Sequence, residues 1–270
     1  MHERVSIDSL CFPGAAFDAL ADHWRRLDAR RVSFISPLLE AEGRAAAQAV
    51  LAAGYVLETI PHPFMASQAL RSDDVVVAEE RARLDRLIED ANALGARSIY
   101  MTTGGHGAMT WEEAAECFAT AIAPCVEQAR EAGIPLMIEN ANPLYADLHL
   151  AHSLPDTLTL AEMAGVGVCI DVFGCWAEAG LEASLEKIVP RCHLVQLSDY
   201  VYGDRSLPSR AVPGDGVVPL ARILDWLLGA GYTGAFDLEL MGPRIDAEGH
   251  FEATRRAADR VGEILQSLGA

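Results

Sequence analysis

One mark of punctuation recurs along this chain: a small residue or two, a glycine, then an apolar run. It occurs in "LAAGYVLETI", "NALGARSIYM", "REAGIPLMIE", "EMAGVGVCID" and "LGAGYTGAFDLEL". The glycines are Gly54, Gly95, Gly133, Gly165 and Gly231, spaced by 41, 38, 32 and 66 residues, the last close to two units. A glycine in this place suits the left-handed residue that closes a helix. The segments between carry helical periodicity. In "VVVAEERARLDRLIEDANAL" apolar residues recur three and four apart. "TWEEAAECFATAIAPCVEQAREAG" opens on Thr110 with Glu113 three residues later, the pattern of a capping box, and its Pro124 predicts a bend. The chain is therefore built from a repeating helix–strand unit of about 30 to 40 residues.

Eight strands are predicted, starting near Val5, Val32, Val56, Ser98, Pro135, Val166, His193 and Ala235. Seven helices lie between them, and "FEATRRAADRVGEILQSLG" supplies an eighth. Strict alternation implies a parallel sheet. Eight units match a closed (β/α)8 barrel; the alternative, an open doubly wound sheet, lacks its GxGxxG after the first strand. No Pro/Gly/Ser-rich linker or charge block divides the chain, so residues 1–270 are expected to form one α/β TIM-barrel domain. Helix-to-strand links are short, whereas the strand-to-helix links at 62–72, 140–156, 198–216 and 242–249 are long. In a barrel these all gather on the C-terminal face, where binding sites belong.

The period of two along each strand then selects inward residues. In "LMIEN" Glu139 opposes the aliphatic side, in "VGVCID" Asp171 does, in "HLVQLS" Gln196 does, and in "AFDLEL" Asp237 and Glu239 do. Four consecutive strands thus end in an acid, an acid, an amide and an acid facing one axis. Carboxylates crowded without a cation repel one another. A single divalent cation held by Glu139, Asp171, Gln196 and Glu239 removes the conflict, and an all-oxygen set favours Mn or Mg, with Co or Zn as alternatives. The competing reading pairs each inward acid with an Arg or Lys inside the barrel.

Charge and composition narrow the partners. A net charge of -18 repels nucleic acid and anionic membrane. The small basic cluster Arg25-Arg26 and Arg30-Arg31 reads as a solvated helix face. No apolar stretch reaches the roughly 18 residues of a membrane span, and "MHERVSIDSL" lacks the apolar core of a signal peptide, so a cytoplasmic location is expected. Six scattered cysteines without a CxxC pair read as reduced thiols. The expected partner is a small molecule, with self-association into a homo-oligomer left open.

"IEN" at 138–140, "CID" at 169–171, "HLVQLSD" at 193–199, "RAVPGDG" at 210–216 and "LEL" at 238–240 resemble the xylose-isomerase-like TIM barrels, the sugar-phosphate isomerase/epimerase family. The resemblance covers most of the chain and is firmest from about Ala96 to Arg244. It implies a divalent-metal-dependent isomerase or epimerase of a sugar or related polyhydroxy carbonyl compound, working through an enediolate. Carried onto this chain, the metal ligands fall on Glu139, Asp171, Gln196 and Glu239, with Glu139 and Glu239 also exchanging the proton. Two positions depart from the pattern: Gln196 stands where the family usually has His, and Gly174 stands where it often has a substrate-contacting His.

Further candidates surround this set. Arg210 resembles a family arginine that meets substrate oxygens. His62 and His106 follow the third and fourth strands at the same mouth, and Trp176, with Phe173, supplies an apolar wall. Asp199 is a water-mediated ligand, an orienter of Gln196 or a loop cap. His193 reads as structural, His149 and His152 as loop residues, and Asn140 and Asn142 as pocket lining or turn residues. The alternatives to isomerisation are a metal-dependent dehydratase of the inosose or dehydroshikimate type and a non-catalytic binding barrel. A DNA-repair endonuclease on the same barrel is disfavoured by the acidic charge and the scarcity of inward histidine.

Overall fold

Eight short parallel strands close into a barrel in sequence order, with the first lying beside the last. The computed structural model describes residues 1–66, 69–70 and 74–270. The strands are β1 (Val5–Asp8), β2 (Arg31–Ser33), β3 (Val56–His62), β4 (Ile99–Met101), β5 (Leu136–Glu139), β6 (Gly167–Asp171), β7 (Cys192–Leu197) and β8 (Phe236–Leu238). Each begins within one residue of its predicted start. The predicted (β/α)8 architecture is the one observed.

The punctuating glycines explain this agreement. Gly54, Gly95, Gly133, Gly165 and Gly231 all have positive φ, between 69° and 98°. Gly133 and Gly165 cap their helices directly, their N–H groups closing on carbonyls of the preceding turn. At the other end of Trp111–Ala132, Thr110 and Glu113 form the reciprocal capping box. Pro124 lies inside that helix, which continues through it as one element. Two helical segments divide where the sequence pattern suggested one element or a loop. Ser36–Glu42 and Arg44–Leu51 part at Gly43 (φ 85°), and Pro243–Glu248, in the predicted loop 242–249, ends at Gly249 (φ 96°) before His250–Ser267. Residues 67–68 and 71–73 of the predicted 62–72 connection lie outside the described residues. Among the described residues, no helix is long and apolar enough to cross a membrane.

Alternation sorts the strand residues into two layers. Val5, Ile7, Ile138, Ile170, Leu197 and Leu238 belong to the large core between sheet and helices. Tyr100, Met137, Cys169, Leu194 and Ala235 form a small apolar layer inside the barrel. This inner layer is one-sided. Around β8, β1 and β2 the interior is polar, and Ser6, Asp8, Ser33 and Asp237 are fully buried. Ser33 donates to Asp237 Oδ1 at 3.1 Å, while Asp8 Oδ2 and Asp237 Oδ2 have no partner.

Burial pushes both of these carboxyls up, Asp8 to about 6 and Asp237 well above the usual carboxylate range, where the Asp8 charge adds to the effect. The folded barrel therefore holds protons here that the unfolded chain would release. With folded pKa values above unfolded ones, stability falls as pH rises from the acid range through about 6 and beyond. Asp237→Asn keeps the shape and removes the ionisation. We expect its melting temperature at about pH 8 to exceed that of the wild type, with a smaller difference between about pH 5 and about pH 8. Thermal denaturation followed by circular dichroism at the two pH values measures this.

Candidate active site

The site is organised by a loop anchored on one carboxylate. Asp199, 1% exposed at the end of β7, accepts from the backbone N–H groups of Tyr200 (2.8 Å), Gly214 (2.9 Å), Gly216 (3.0 Å) and Val218 (2.9 Å). Its own backbone pairs with Ala211 in both directions, at 2.9 and 2.8 Å. The "PGDG" turn permits this because Gly214 has φ 94°, and because a Cβ on Gly216 would lie 2.2 Å from the Tyr200 carbonyl oxygen and 2.3 Å from Asp199 Oδ1. Of the three roles open to Asp199 from sequence, the structure gives it that of the loop cap.

This ladder delivers Arg210 to the barrel mouth. Its backbone N–H donates to the Met241 carbonyl at 3.1 Å. Its guanidinium makes a two-pronged contact with Asp171, Nη1 to Oδ1 at 3.1 Å and Nη2 to Oδ2 at 3.0 Å. Nη1 also donates to Ser198 Oγ at 3.1 Å, and Nη2 stands 3.1 Å from Glu239 Oε1. The Phe173 ring lies against it, 4.9 Å from centroid to Cζ. Burial opposes the charge on Arg210, but Asp171 and Glu239 outweigh it and hold the guanidinium protonated.

The remaining predicted ligands meet around this cation. Gln196 donates through Nε2 to Glu239 Oε2 and, at 3.0 Å, to the Tyr100 hydroxyl. Its carbonyl oxygen accepts from the Cys169 thiol at 3.3 Å. Glu139, at the end of β5, makes no close ion pair with an Arg or Lys among the described residues, and His149 Nε2 stands 4.0 Å from its Oε2. The two glutamates are thereby separated. Burial, then the Glu239 and Asp171 charges, push Glu139 well above the usual range. Burial also raises Glu239, but Arg210 restrains the rise to about 7. At neutral pH Glu139 is the protonated acid and Glu239 the group poised to ionise.

A cavity of about 320 Å³ opens over these groups. Glu139, Asp171, Arg210 and Glu239 form its polar floor, with Tyr100, His62 and His149, while Leu10, Ile35, Leu148, Phe173 and Met241 give it largely apolar walls. His62 is 2% exposed, shares a hydrogen bond through Nδ1 with Ser36 Oγ at 2.9 Å, and its Nε2 has no partner among the described residues. Burial lowers its pKa to about 3, and that of His149 likewise, so both imidazoles are neutral.

Two predicted substrate contacts lie elsewhere. His106 is half-buried in the loop after β4, bound through Nδ1 to the Met109 carbonyl at 3.1 Å, and does not line the cavity. Trp176 is also absent from the lining; it packs against Tyr200 and Tyr202, at centroid distances of 6.0 and 6.5 Å. Tyr100 and His149 are in the site although sequence reading passed over the first and left the second as a loop residue. Applying the period of two to "SIYM" would have turned Tyr100 inward; no local pattern marks His149. Asn140 ties β5 to β6 by a reciprocal pair of 2.9 Å bonds with the Asp171 backbone. A Cβ at Gly174 would lie 2.7 Å from Asn140 Nδ2, which accounts for the missing side chain at that position.

Residues 15–264 match the family model of the xylose isomerase-like TIM barrel, and the chain belongs to that family. A search of curated proteins finds no match. Among solved structures it is similar to a xylose isomerase domain protein from Alicyclobacillus acidocaldarius subsp. acidocaldarius, with 22% identity and a TM-score of 0.82 over 99% of both chains. It is also similar to an L-ribulose 3-epimerase, with 18% identity and a TM-score of 0.81 over 98% of this chain and 95% of the other. An IolI protein with a bound zinc atom gives 13% identity and a TM-score of 0.81 over 98% and 99%. At these identities the likeness is one of fold.

The zinc in that IolI structure raises the question of fit here. Glu139, Asp171, Gln196 and Glu239 do converge, but around a guanidinium. Both Asp171 oxygens and one Glu239 oxygen face Arg210, and Gln196 turns a nitrogen, not a lone pair, toward Glu239. Among the described residues no three His, Cys, Asp or Glu side chains are disposed to hold a metal ion. As arranged, this donor set does not fit a divalent cation.

Removing the Asp199 side chain leaves four backbone donors without their acceptor. Asp199→Ala is expected to cost at least about 2 kcal/mol of stability. Hydrogen exchange should show the amides of Tyr200, Gly214, Gly216 and Val218 losing protection together.

Proposed function

We propose that this barrel is an isomerase or epimerase that moves a proton next to the carbonyl of a small hydroxy-carbonyl compound. The observation that carries the reading is the pair of glutamates at the cavity floor whose surroundings drive their protonation apart. The epimerase among the structural neighbours supports the same reaction class.

In this mechanism ionised Glu239 removes the C–H proton beside the substrate carbonyl. The electron pair moves into the new C=C bond and onto the carbonyl oxygen, giving an enediolate. Negative charge passes from Glu239 to the substrate within reach of the same Arg210, which stabilises the carboxylate first and the enediolate next. The Tyr100 hydroxyl is held protonated by burial, and its hydrogen is directed at the oxyanion. With Ser36 donating to Nδ1, His62 presents a neutral N–H to the same oxygen, a donor that does not itself surrender a proton. Glu139 returns a proton to carbon: delivered to the same carbon from the opposite face it gives epimerisation, and delivered to the former carbonyl carbon, with the remaining hydroxyl proton of the enediolate passing to the other oxygen, it gives isomerisation.

The apolar walls favour a substrate with a hydrocarbon face, and with it a second reading. If the intermediate carries a hydroxyl on the next carbon, protonated Glu139 delivers its proton to that oxygen. The C–O bond breaks, water leaves, and the reaction is a dehydration. The first step and the base are the same.

Incubation in deuterated water with a panel of ketoses, inososes and dehydroshikimate-like acids, read by proton NMR, tests this. Exchange at the carbon next to the carbonyl is expected, rising through about pH 7 as Glu239 ionises. Glu239→Gln and Glu139→Gln should each lower turnover at least about a hundredfold. Full turnover in either variant would sink the mechanism. Appearance of an unsaturated product would select the dehydratase.

A further inference from the structure

We infer that Arg210 is the permanent cation of this site, and that the barrel works without a divalent ion. The inference rests on the proposed reaction only in placing Arg210 beside the reacting glutamate.

Three independent features of the site support it. The first is commitment. Arg210 makes three hydrogen bonds through its two Nη atoms, two to Asp171 and one to Ser198, and a 3.1 Å contact to Glu239. A planar fork meeting a carboxylate on both prongs is a specific fit that a mobile side chain seeking any acceptor would not need. An incoming ion would compete with Arg210 for the Asp171 and Glu239 oxygens, and a buried guanidinium that lost those carboxylates would be costly.

The second is anchorage. The backbone of Arg210 is tied to Met241, and the next residue is tied on both sides to Asp199, whose carboxylate fixes the rest of the loop. The Cα from which the guanidinium extends is therefore fixed at the mouth, and the side chain itself is held there by its contacts to Asp171, Ser198 and Glu239.

The third is Gln196. The Gln196 amide presents its nitrogen to Glu239 Oε2 and to the Tyr100 hydroxyl. The amide oxygen is thereby turned to the Cys169 thiol, at 3.3 Å. A neutral side chain that donates to Glu239 strengthens the carboxylate that Arg210 also holds; it supplies no lone pair to a metal. Asp171 and Glu239 are the two carboxylates that Arg210 contacts. One guanidinium with one amide donor satisfies them as a closed set.

The test uses wild-type protein, stripped with a chelator and dialysed against Mn2+ or Zn2+, with bound metal measured by elemental analysis and binding by calorimetry. No site of one ion per chain with a dissociation constant below about 10 µM is expected. Such a site, abolished in Glu239→Gln, would overturn the inference. A second variant reads the cation directly. Arg210→Met removes the fork and leaves the carboxylates converging, so Mn2+ should bind at least about tenfold more tightly than to wild type, with loss of the free-ion paramagnetic resonance signal. Equal, negligible binding by a folded Arg210→Met would also count against it, since the carboxylates would then be unable to hold any cation. Should that variant fail to fold, the wild-type titration alone decides. Deuterium exchange measured in excess chelator separates this inference from the reaction. Metal binding with exchange abolished by chelator defeats the inference and leaves the glutamate chemistry standing. No metal and no exchange on any substrate defeats the reaction and leaves the cation assignment.

Discussion

A buried guanidinium shared between Asp171 and Glu239 sets the state of everything around it. It sits between two carboxylates that are nearly buried at the mouth of the barrel. It holds one glutamate near neutrality in pKa while the other, beyond its reach for hydrogen bonding, keeps its proton. The orientation of Gln196 follows from the same charge, because an ionised Glu239 demands a donor. Even the loop at 199–218 is best understood as the device that delivers this one side chain to its place.

The barrel beneath is built to tolerate such a site. Its inner layer is apolar where β4 to β7 supply Tyr100, Met137, Cys169 and Leu194, and polar where β8, β1 and β2 supply Asp237, Asp8, Ser6 and Ser33. The polar half contains unpaired carboxyl oxygens on Asp8 and Asp237, and burial keeps the proton on Asp237. This is a cost in stability carried below the chemistry, and the large outer core between strands and helices is what offsets it.

Much of the fold could be read in the sequence because two simple signals repeat: a helix-closing glycine and a strand period of two. Each is local, and each recurs enough times to locate the strands to within a residue. The inward set of Glu139, Asp171, Gln196 and Glu239 follows from the second signal alone, and the structure brings all four to one place. What surrounds them could not be read, because it depends on distance across the barrel. Arg210 is 39 residues from Asp171 in sequence, and nothing local says that its guanidinium enters the acid cluster. His149 reaches Glu139 from a loop with no period at all. His106 and Trp176 lie outside the lining of the cavity. Position after a strand placed them on the right face of the barrel, but the direction of a loop side chain is set by packing, as with Trp176 against Tyr200 and Tyr202.

The way Asp199 holds its loop also marks where the chain is free to change. The ladder closes between Asp199 and Ala211, and the four amides it gathers lie at Tyr200 and from Gly214 onward. The segment from Val201 to Ser209 is outside that closure. Insertions or deletions there would reshape the mouth up to Pro208, which lines the cavity, while the ladder still holds the backbone of the arginine at its centre. Diversification of what this barrel admits, in nature or by grafting, has a ready-made splice site whose ionic cost is the Asp204–Arg244 pair.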